Sequence, residues 1–134
     1  MNRVLFSSQT DEWRTPESVY KALDSEFRFN DDPCPPHGQW GLERAWGTRT
    51  FCNPPYSQIA QWVKKAYDET PAGKLIVLLI PSRTDTRWWH DYVMQATEIR
   101  FIKGRLKFYG AKFNAPFPSC VVVFNGEERC KKCT

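Results

Sequence analysis

Leu75-Ile76-Val77-Leu78-Leu79-Ile80-Pro81, followed by Ser82, is the longest apolar run in the chain. It is far too short to cross a bilayer, and its length and β-branched content suit a strand buried on both faces, as in parallel sheets. Thr70-Pro71-Ala72-Gly73 breaks the chain before it and Pro81-Ser82 after it, so the strand is expected over Lys74 to Ile80. On its N-terminal side, Ile59, Trp62, Val63 and Ala66 recur at helical spacing, predicting a helix from about Gln58 to Asp68 with Ser57 as its cap. On its C-terminal side, Thr84 or Asp85 caps a second helix reaching about Gln95.

Further from the centre, Thr15-Pro16-Glu17 reads as a helix start. Thr15 is the N-cap and Pro16 the first helical residue, with Val19, Leu23 and Phe27 on the apolar stripe. Phe27-Arg28-Phe29 alternates as a short strand that ends at Asn30-Asp31-Asp32-Pro33, and residues 33–48 form an irregular loop rich in Pro, Gly and Trp. Strands follow at Thr50–Cys52, Glu98–Ile102, Leu106–Phe108 and Ser119–Phe124, with Gly104 and Gly110 marking turns. This alternation predicts an α/β three-layer sandwich with a mostly parallel sheet and an antiparallel C-terminal hairpin at its edge. Residues 1–12 are read as a flexible N-terminus, 13–125 as a single domain, and 126–134 as a basic tail carrying Cys130 and Cys133.

Composition sets the outer bounds. The 134 residues are 41% hydrophobic and 25% charged, which is ordinary globular usage and argues against wholesale disorder. Aromatics reach 15%, leaving rings beyond the core's needs for stacking on bases. A net charge of +4 permits a polyanionic partner without demanding one. The chain lacks the apolar run of a signal peptide or membrane span, so a cytoplasmic protein with reduced cysteines is expected. Cys130 and Cys133 form a C-x2-C pair, but Cys34, Cys52, Cys120, His37 and His90 are scattered. A frayed basic tail is therefore favoured over a closed zinc site, and no metal is expected.

The chemistry points to Phe51-Cys52-Asn53-Pro54-Pro55-Tyr56. Two consecutive prolines forbid helix and central strand, so the chain turns rigidly as it leaves a strand. The Asn53 side-chain oxygen and the Pro54 carbonyl can both accept hydrogen bonds, while Pro54 and Pro55 bring no competing N–H. Tyr56 offers a ring for stacking. Two acceptors on one NH2 group make its nitrogen more nucleophilic, as methylation of an exocyclic amine of adenine or cytosine requires. Ligands of open α/β sheets bind beyond the carboxyl ends of the strands. Three polar clusters are expected there: Asp31-Asp32-Pro33, Asn53-Pro54-Pro55-Tyr56 and Pro81-Ser82-Arg83-Thr84-Asp85.

Over most of residues 9–124 the chain resembles the phage-type DNA N-6-adenine methyltransferases (Dam family), which use S-adenosylmethionine. The resemblance rests on Trp13-Arg14-Thr15-Pro16, Asp32-Pro33-Cys34, Asn53-Pro54-Pro55-Tyr56 with Trp62, Leu79 to Thr86, and Gly104-Arg105-Leu106-Lys107-Phe108. It implies a reduced Rossmann-like methyltransferase fold that methylates the N6 amine of adenine in double-stranded DNA, protecting phage DNA from restriction in the host cytoplasm. It further implies that Thr15, Pro16, Asp32, Pro33 and Cys34 lie at S-adenosylmethionine, with Asp32 near the cofactor's ammonium group. Asn53, Pro54, Pro55 and Tyr56 would hold an adenine flipped out of the duplex. Arg83, Arg87, Arg105 and Lys107 would contact phosphates.

Each assignment has a plainer counterpart. Asp32 can be a turn residue, Thr15-Pro16 a helix start, Asp85 a cap, Trp88-Trp89 core, and scattered surface cations commonly have no specific role. A Gly-x-Gly loop is missing; Asp32 to Gly38 stands in its place, and only about 16 residues separate Asp32 from the strand that leads into the Asn53 loop. Glu43 is the one weak candidate for a ribose-binding carboxylate. No separate target-recognition domain is visible. A chain so reduced either forms a homodimer that completes its DNA surface or survives as a non-catalytic nucleic-acid-binding module. A cytosine N4 or glutamine N5 methyltransferase fits less well: Asn rather than Ser before Pro54-Pro55-Tyr56 leans to adenine, and the other motifs do not resemble those of the glutamine enzymes.

Overall fold

A computed structural model describes residues 13–34 and 40–127. The expectations for residues 1–12, His37 and the Cys130/Cys133 tail lie outside the described residues. Three helices of the described chain are α1 (Glu17–Phe27), α2 (Ile59–Glu69) and α3 (Arg87–Asp91), and four strands are β1 (Arg49–Cys52), β2 (Leu75–Pro81), β3 (Glu98–Phe101) and β4 (Ser119–Asn125).

The strands pair in the order β1-β2-β4-β3. β1 and β2 are parallel, and a parallel bridge between Asp31 and Thr50 adds the segment after α1 to the outer side of β1. Backbone bonds Asn30 N→Arg49 O (2.7 Å) and Phe51 N→Asp31 O (3.0 Å) hold it there. β4 is antiparallel to both β2 and β3.

This corrects the expected mostly parallel sheet and its edge hairpin. β1, β2 and β3 do run the same way, but β4 is inserted between β2 and β3, so two of the three ladders are antiparallel. Leu106–Phe108 forms no strand; the hairpin partner of β4 is β3, joined through the long 102–118 loop. Leu106 and Phe108 turn inward beneath that loop instead.

The sheet is covered on both faces. On one side Cys52, Ile76, Leu78, Ile80, Cys120, Val122 and Phe124 meet Ile59, Trp62, Val63 and Ala66 of α2, with Trp89 and Val93. On the other, Phe51, Leu75, Val77, Leu79, Val121 and Val123 meet Leu23 of α1 together with Phe108, Ala115 and Phe117 of the 102–118 loop. The period-2 alternation of β2 sends its side chains to both cores, and every residue of that strand is buried. Trp89 is core, as its place in the sequence suggested.

The helix starts fall later than expected. Pro16, not Thr15, is the N-cap of α1: its ψ of 136° is extended, and its carbonyl receives the Tyr20 N–H at 3.1 Å. α2 is entered through a 3-10 turn, Tyr56–Gln58, with Gln58 rather than Ser57 at its cap. Thr86 caps α3, its hydroxyl accepting from Trp89 N, while Thr84 and Asp85 stay exposed outside the helix. α1 continues through Phe27 and stops at Arg28 (φ 55°), so Phe27-Arg28-Phe29 is not a strand. No helix among the described residues is long and apolar enough to cross a membrane.

Candidate functional site

The three same-direction strands and the segment ending at Asp31 all finish on one rim. Asp32 leaves the outer segment, Asn53 leaves β1, Ser82 leaves β2, and Ile102 leaves β3; β4 starts there, with Ser119 paired to Pro81. Ser82 N→Pro118 O (2.9 Å) and Ile102 N→Ser119 O (3.1 Å) close the rim. Residues 13–15 run along it: the Trp13 carbonyl accepts from Asn53, and the Arg14 carbonyl accepts from Tyr109 N at 2.9 Å.

Asn53 is the centre of this arrangement. Its Nδ2 donates to the Trp13 carbonyl and to Thr15 Oγ1 (3.1 Å). A carbonyl can only accept, so the amide must face it with NH2, and the orientation of the carboxamide is fixed by its partners. Oδ1 is thereby aimed the other way. It is buried, and among the described residues it has no hydrogen-bond partner. A buried acceptor left empty carries a desolvation cost that a ligand donor would relieve.

Pro54 and Pro55 are buried behind it. The Pro55 carbonyl accepts from Gln58 N (3.1 Å). Tyr56 is half-buried, its ring edge-on to Phe117 at 5.5 Å, and its phenol oxygen is buried without a partner. Burial holds its pKa well above the usual phenol range. Phe117 also packs edge-on against Trp13 (5.4 Å), and Trp13 meets Phe108 at the same distance.

The neighbouring carboxylates differ sharply. Asp31 takes a two-pronged contact from Arg44 (2.8 Å to each oxygen) and the Gly47 N–H (2.8 Å); the Arg44 bonds in particular hold its pKa below the usual value. Among the described residues Asp32 accepts only from Cys34 N (3.1 Å). Among the described residues it has no ion-pair partner, and burial pushes its pKa up to about 6. A carboxylate in such a place suits a cationic ligand group. The same burial, with Asp32 beside it, pushes the Cys34 thiol up to about 12, so Cys34 is no reactive thiolate. Pro33 is buried. Thr15 and Pro16 therefore differ in kind: Thr15 touches Asn53, while Pro16 serves the helix start.

Among the cations, Arg83 stands at the rim over the Phe117 ring (6.0 Å), and Arg105 and Lys107 are exposed on the 102–118 loop. Arg87 instead pairs with Asp91 one turn along α3 (3.6 Å). Glu43 is exposed. Among the described residues no three His, Cys, Asp or Glu side chains gather as a metal site.

The DNA N-6-adenine-methyltransferase (Dam) family matches residues 4–124. The chain belongs to that family. It is 26% identical over 110 residues to the DNA N-6-adenine-methyltransferase of Escherichia phage T1, covering 72% of this chain and 46% of the phage protein. The chain thus spans about half the length of that relative. No solved structure matches.

Sequence reading missed several residues of this candidate site. Trp13 contributes its backbone carbonyl, a group that no side-chain motif advertises. Gly41 lets the Trp40–Glu43 turn lie against Pro33, since a Cβ there would come within 2.4 Å of the Pro33 carbonyl oxygen. Arg44 occupies Asp31 and, among the described residues, leaves Asp32 without an ion-pair partner.

Proposed function

We propose that this Dam-family chain transfers a methyl group from S-adenosylmethionine to the N6 amine of adenine in DNA, the chemistry of restriction-protecting phage modification. The observation that carries the reading is the empty, buried Oδ1 of Asn53, whose direction is set by the Trp13 carbonyl and the Thr15 hydroxyl.

The residues present fit the cofactor. Asp32, half-buried and without an ion-pair partner among the described residues, suits its ammonium group, and Pro33 and Cys34 shape the turn that holds that carboxylate. When bound, S-adenosylmethionine supplies a methyl group on a positively charged sulfur, so no metal or strong base is needed.

The chain's own contribution is orientation. Asn53 Oδ1 accepts one amine hydrogen and the Pro54 carbonyl the other, pulling the nitrogen lone pair out of the purine ring. Pro55 supplies no N–H to compete for either acceptor. Tyr56 lies against the face of a base taken out of the duplex, with Phe117 bracing its ring. The amine proton leaves after the new N–C bond has formed, to water. Arg83, Arg105 and Lys107 neutralise phosphates around the rim, while Arg87, already balanced by Asp91, contributes less.

Transfer of radioactive methyl from S-adenosylmethionine to high-complexity unmethylated DNA tests the reading. Asn53→Ala is expected to lower the rate at least about 100-fold, the scale of losing a preorganised polar contact to the reacting group, with an unchanged circular dichroism spectrum. Near-wild-type transfer by that variant would overturn the amine grip. A folded wild-type protein that binds DNA and transfers no methyl would point to a binding module.

A further inference from the structure

The loop from β3 to β4, residues 102–118, carries more than Arg105 and Lys107. Between Glu98 and Glu127 the sequence has no acidic residue. Lys103, Arg105, Lys107 and Lys112 are all exposed, and among the described residues none of the four is in an ion pair. Interleaved with them are two aromatic rings turned to solvent: Tyr109 is 63% and Phe113 77% exposed. A single exposed ring is unremarkable, but two exposed rings among unopposed cations suit a partner that offers both negative charge and flat apolar faces.

The loop is not a loose strap. Its inward residues Leu106, Phe108, Ala115 and Phe117 join the core on the α1 side. Its backbone is cross-linked by Ala115 N→Leu106 O (2.7 Å) and Ala111 N→Phe108 O (2.9 Å), and Tyr109 N ties it to the Arg14 carbonyl. Gly104 and Gly110 take left-handed turns (φ 77° and 78°) that let the chain fold back tightly. The outward side chains are thus held at a fixed place, on the rim where Asn53 and Tyr56 stand. Phe117, next to Tyr56, belongs to the same loop.

We propose that this loop is the duplex-DNA-binding surface, with Lys103, Arg105, Lys107 and Lys112 on phosphates and Phe113, assisted by Tyr109, wedged into the base stack beside the extruded adenine. This rests on the methylation reading and deepens it. Cations fix register on the backbone, and apolar wedges between base steps unstack a duplex so that a base can leave it. Taking adenine out of a stack leaves a gap, and a planar ring one loop away from the amine-binding group fills it. A second copy of the chain is a poor occupant, because it would set four cations against four.

Two measurements test the proposal. Fluorescence anisotropy with a labelled 30-base-pair duplex over a salt series gives the number of phosphates neutralised. Replacing Lys103, Arg105, Lys107 and Lys112 with glutamine is expected to reduce the log–log salt slope by about 3–4, close to one for each cation. Methyl transfer to unmethylated genomic DNA, as duplex and after heat denaturation, then reports the wedge. Phe113→Ala is expected to lower the duplex-to-single-strand rate ratio at least tenfold, because a single strand needs no unstacking.

An unchanged salt slope in the glutamine variant, or an unchanged rate ratio in Phe113→Ala, overturns the proposal. Duplex binding with the expected slope change but without methyl transfer by the wild type fails the catalytic reading while leaving the phosphate-binding surface standing. The anisotropy thus separates the two failures. Since the five substituted side chains are solvent-exposed, loss of folding does not confound the result.

Discussion

Asp31 and Asp32 are chemically identical neighbours with opposite fates, and the difference is made by one guanidinium. Arg44 binds both oxygens of Asp31 and lowers its pKa, leaving Asp32 half-buried with one backbone donor and a pKa near 6. An acid whose folded pKa exceeds its unfolded value of 3.8 binds a proton in the folded state that the unfolded chain has already lost. Stability therefore falls as pH rises from about 4 to about 6, and the loss persists above that window. Asp32→Asn is expected to stabilise the unliganded protein at pH 7.5, on the order of 1–2 kcal/mol once solvent screening is allowed for. At pH 3.5 it should be neutral. The same variant should lose S-adenosylmethionine affinity at pH 7.5. Melting temperatures at the two pH values, with a calorimetric titration, check both; a variant less stable at pH 7.5 would mean that Asp32 has a partner. The acidic-Pro-Cys motif drew attention to Asp32 in the sequence, but which of two adjacent carboxylates stays unpaired depended on Arg44, thirteen residues on in the chain.

At the scale of elements, the sequence pattern located α1, α2, β1, β2, β3 and β4 closely, because all but the edge strand β3 bury residues whose spacing is written in the sequence. Caps were less legible. Thr15 has the chemistry of an N-cap, but its hydroxyl accepts from Asn53, a residue 38 positions away. Leu106–Phe108 has strand-like composition, yet its apolar side chains fill the floor of a loop. A comparable long-range fit places the Asp32-Pro33-Cys34 turn, proposed above to hold the cofactor. Gly41 lies so close to Pro33 that a Cβ would meet its carbonyl oxygen at 2.4 Å and its side chain at 2.7 Å. Because the first of these atoms is backbone, Gly41→Ala must push the Trp40–Glu43 turn away from the Asp32-Pro33-Cys34 turn. The Trp46 indole, which donates to the Gly41 carbonyl at 2.7 Å, anchors the other side. Overpacking of this kind costs roughly 1–3 kcal/mol. The expected outcome is a lower denaturation midpoint together with about tenfold weaker S-adenosylmethionine binding, read by urea titration and calorimetry. Unchanged affinity would separate this turn from the cofactor site.

Across the whole molecule, the sheet order is the feature least visible in the sequence, since the insertion of β4 between β2 and β3 is a choice among strands of similar apolar content. What favours it is that β4, like β2, is apolar on both faces: Val121 and Val123 point to one core, Cys120, Val122 and Phe124 to the other. Such a strand is stable only inside the sheet, whereas β3, whose Arg100 donates to both Glu98 and Glu26 of α1, tolerates an edge. Two cores separated by a sheet should respond independently to damage. Val63→Ala, under α2, removes about two buried methylene equivalents, roughly 2 kcal/mol with the cavity included; Leu23→Ala, under α1, should cost about 2–3 kcal/mol. Val63 and Leu23 belong to different clusters, which among the described residues have only Tyr56, at the rim, as a common neighbour. The double variant should therefore lose the sum of the two to within about 0.5 kcal/mol, with the urea m-value unchanged. A coupling above about 1 kcal/mol would show that the two layers relax together and that the sheet does not insulate them. In that case a ligand seated on the rim, where both cores end beneath Tyr56, would stiffen the entire domain rather than one side of it.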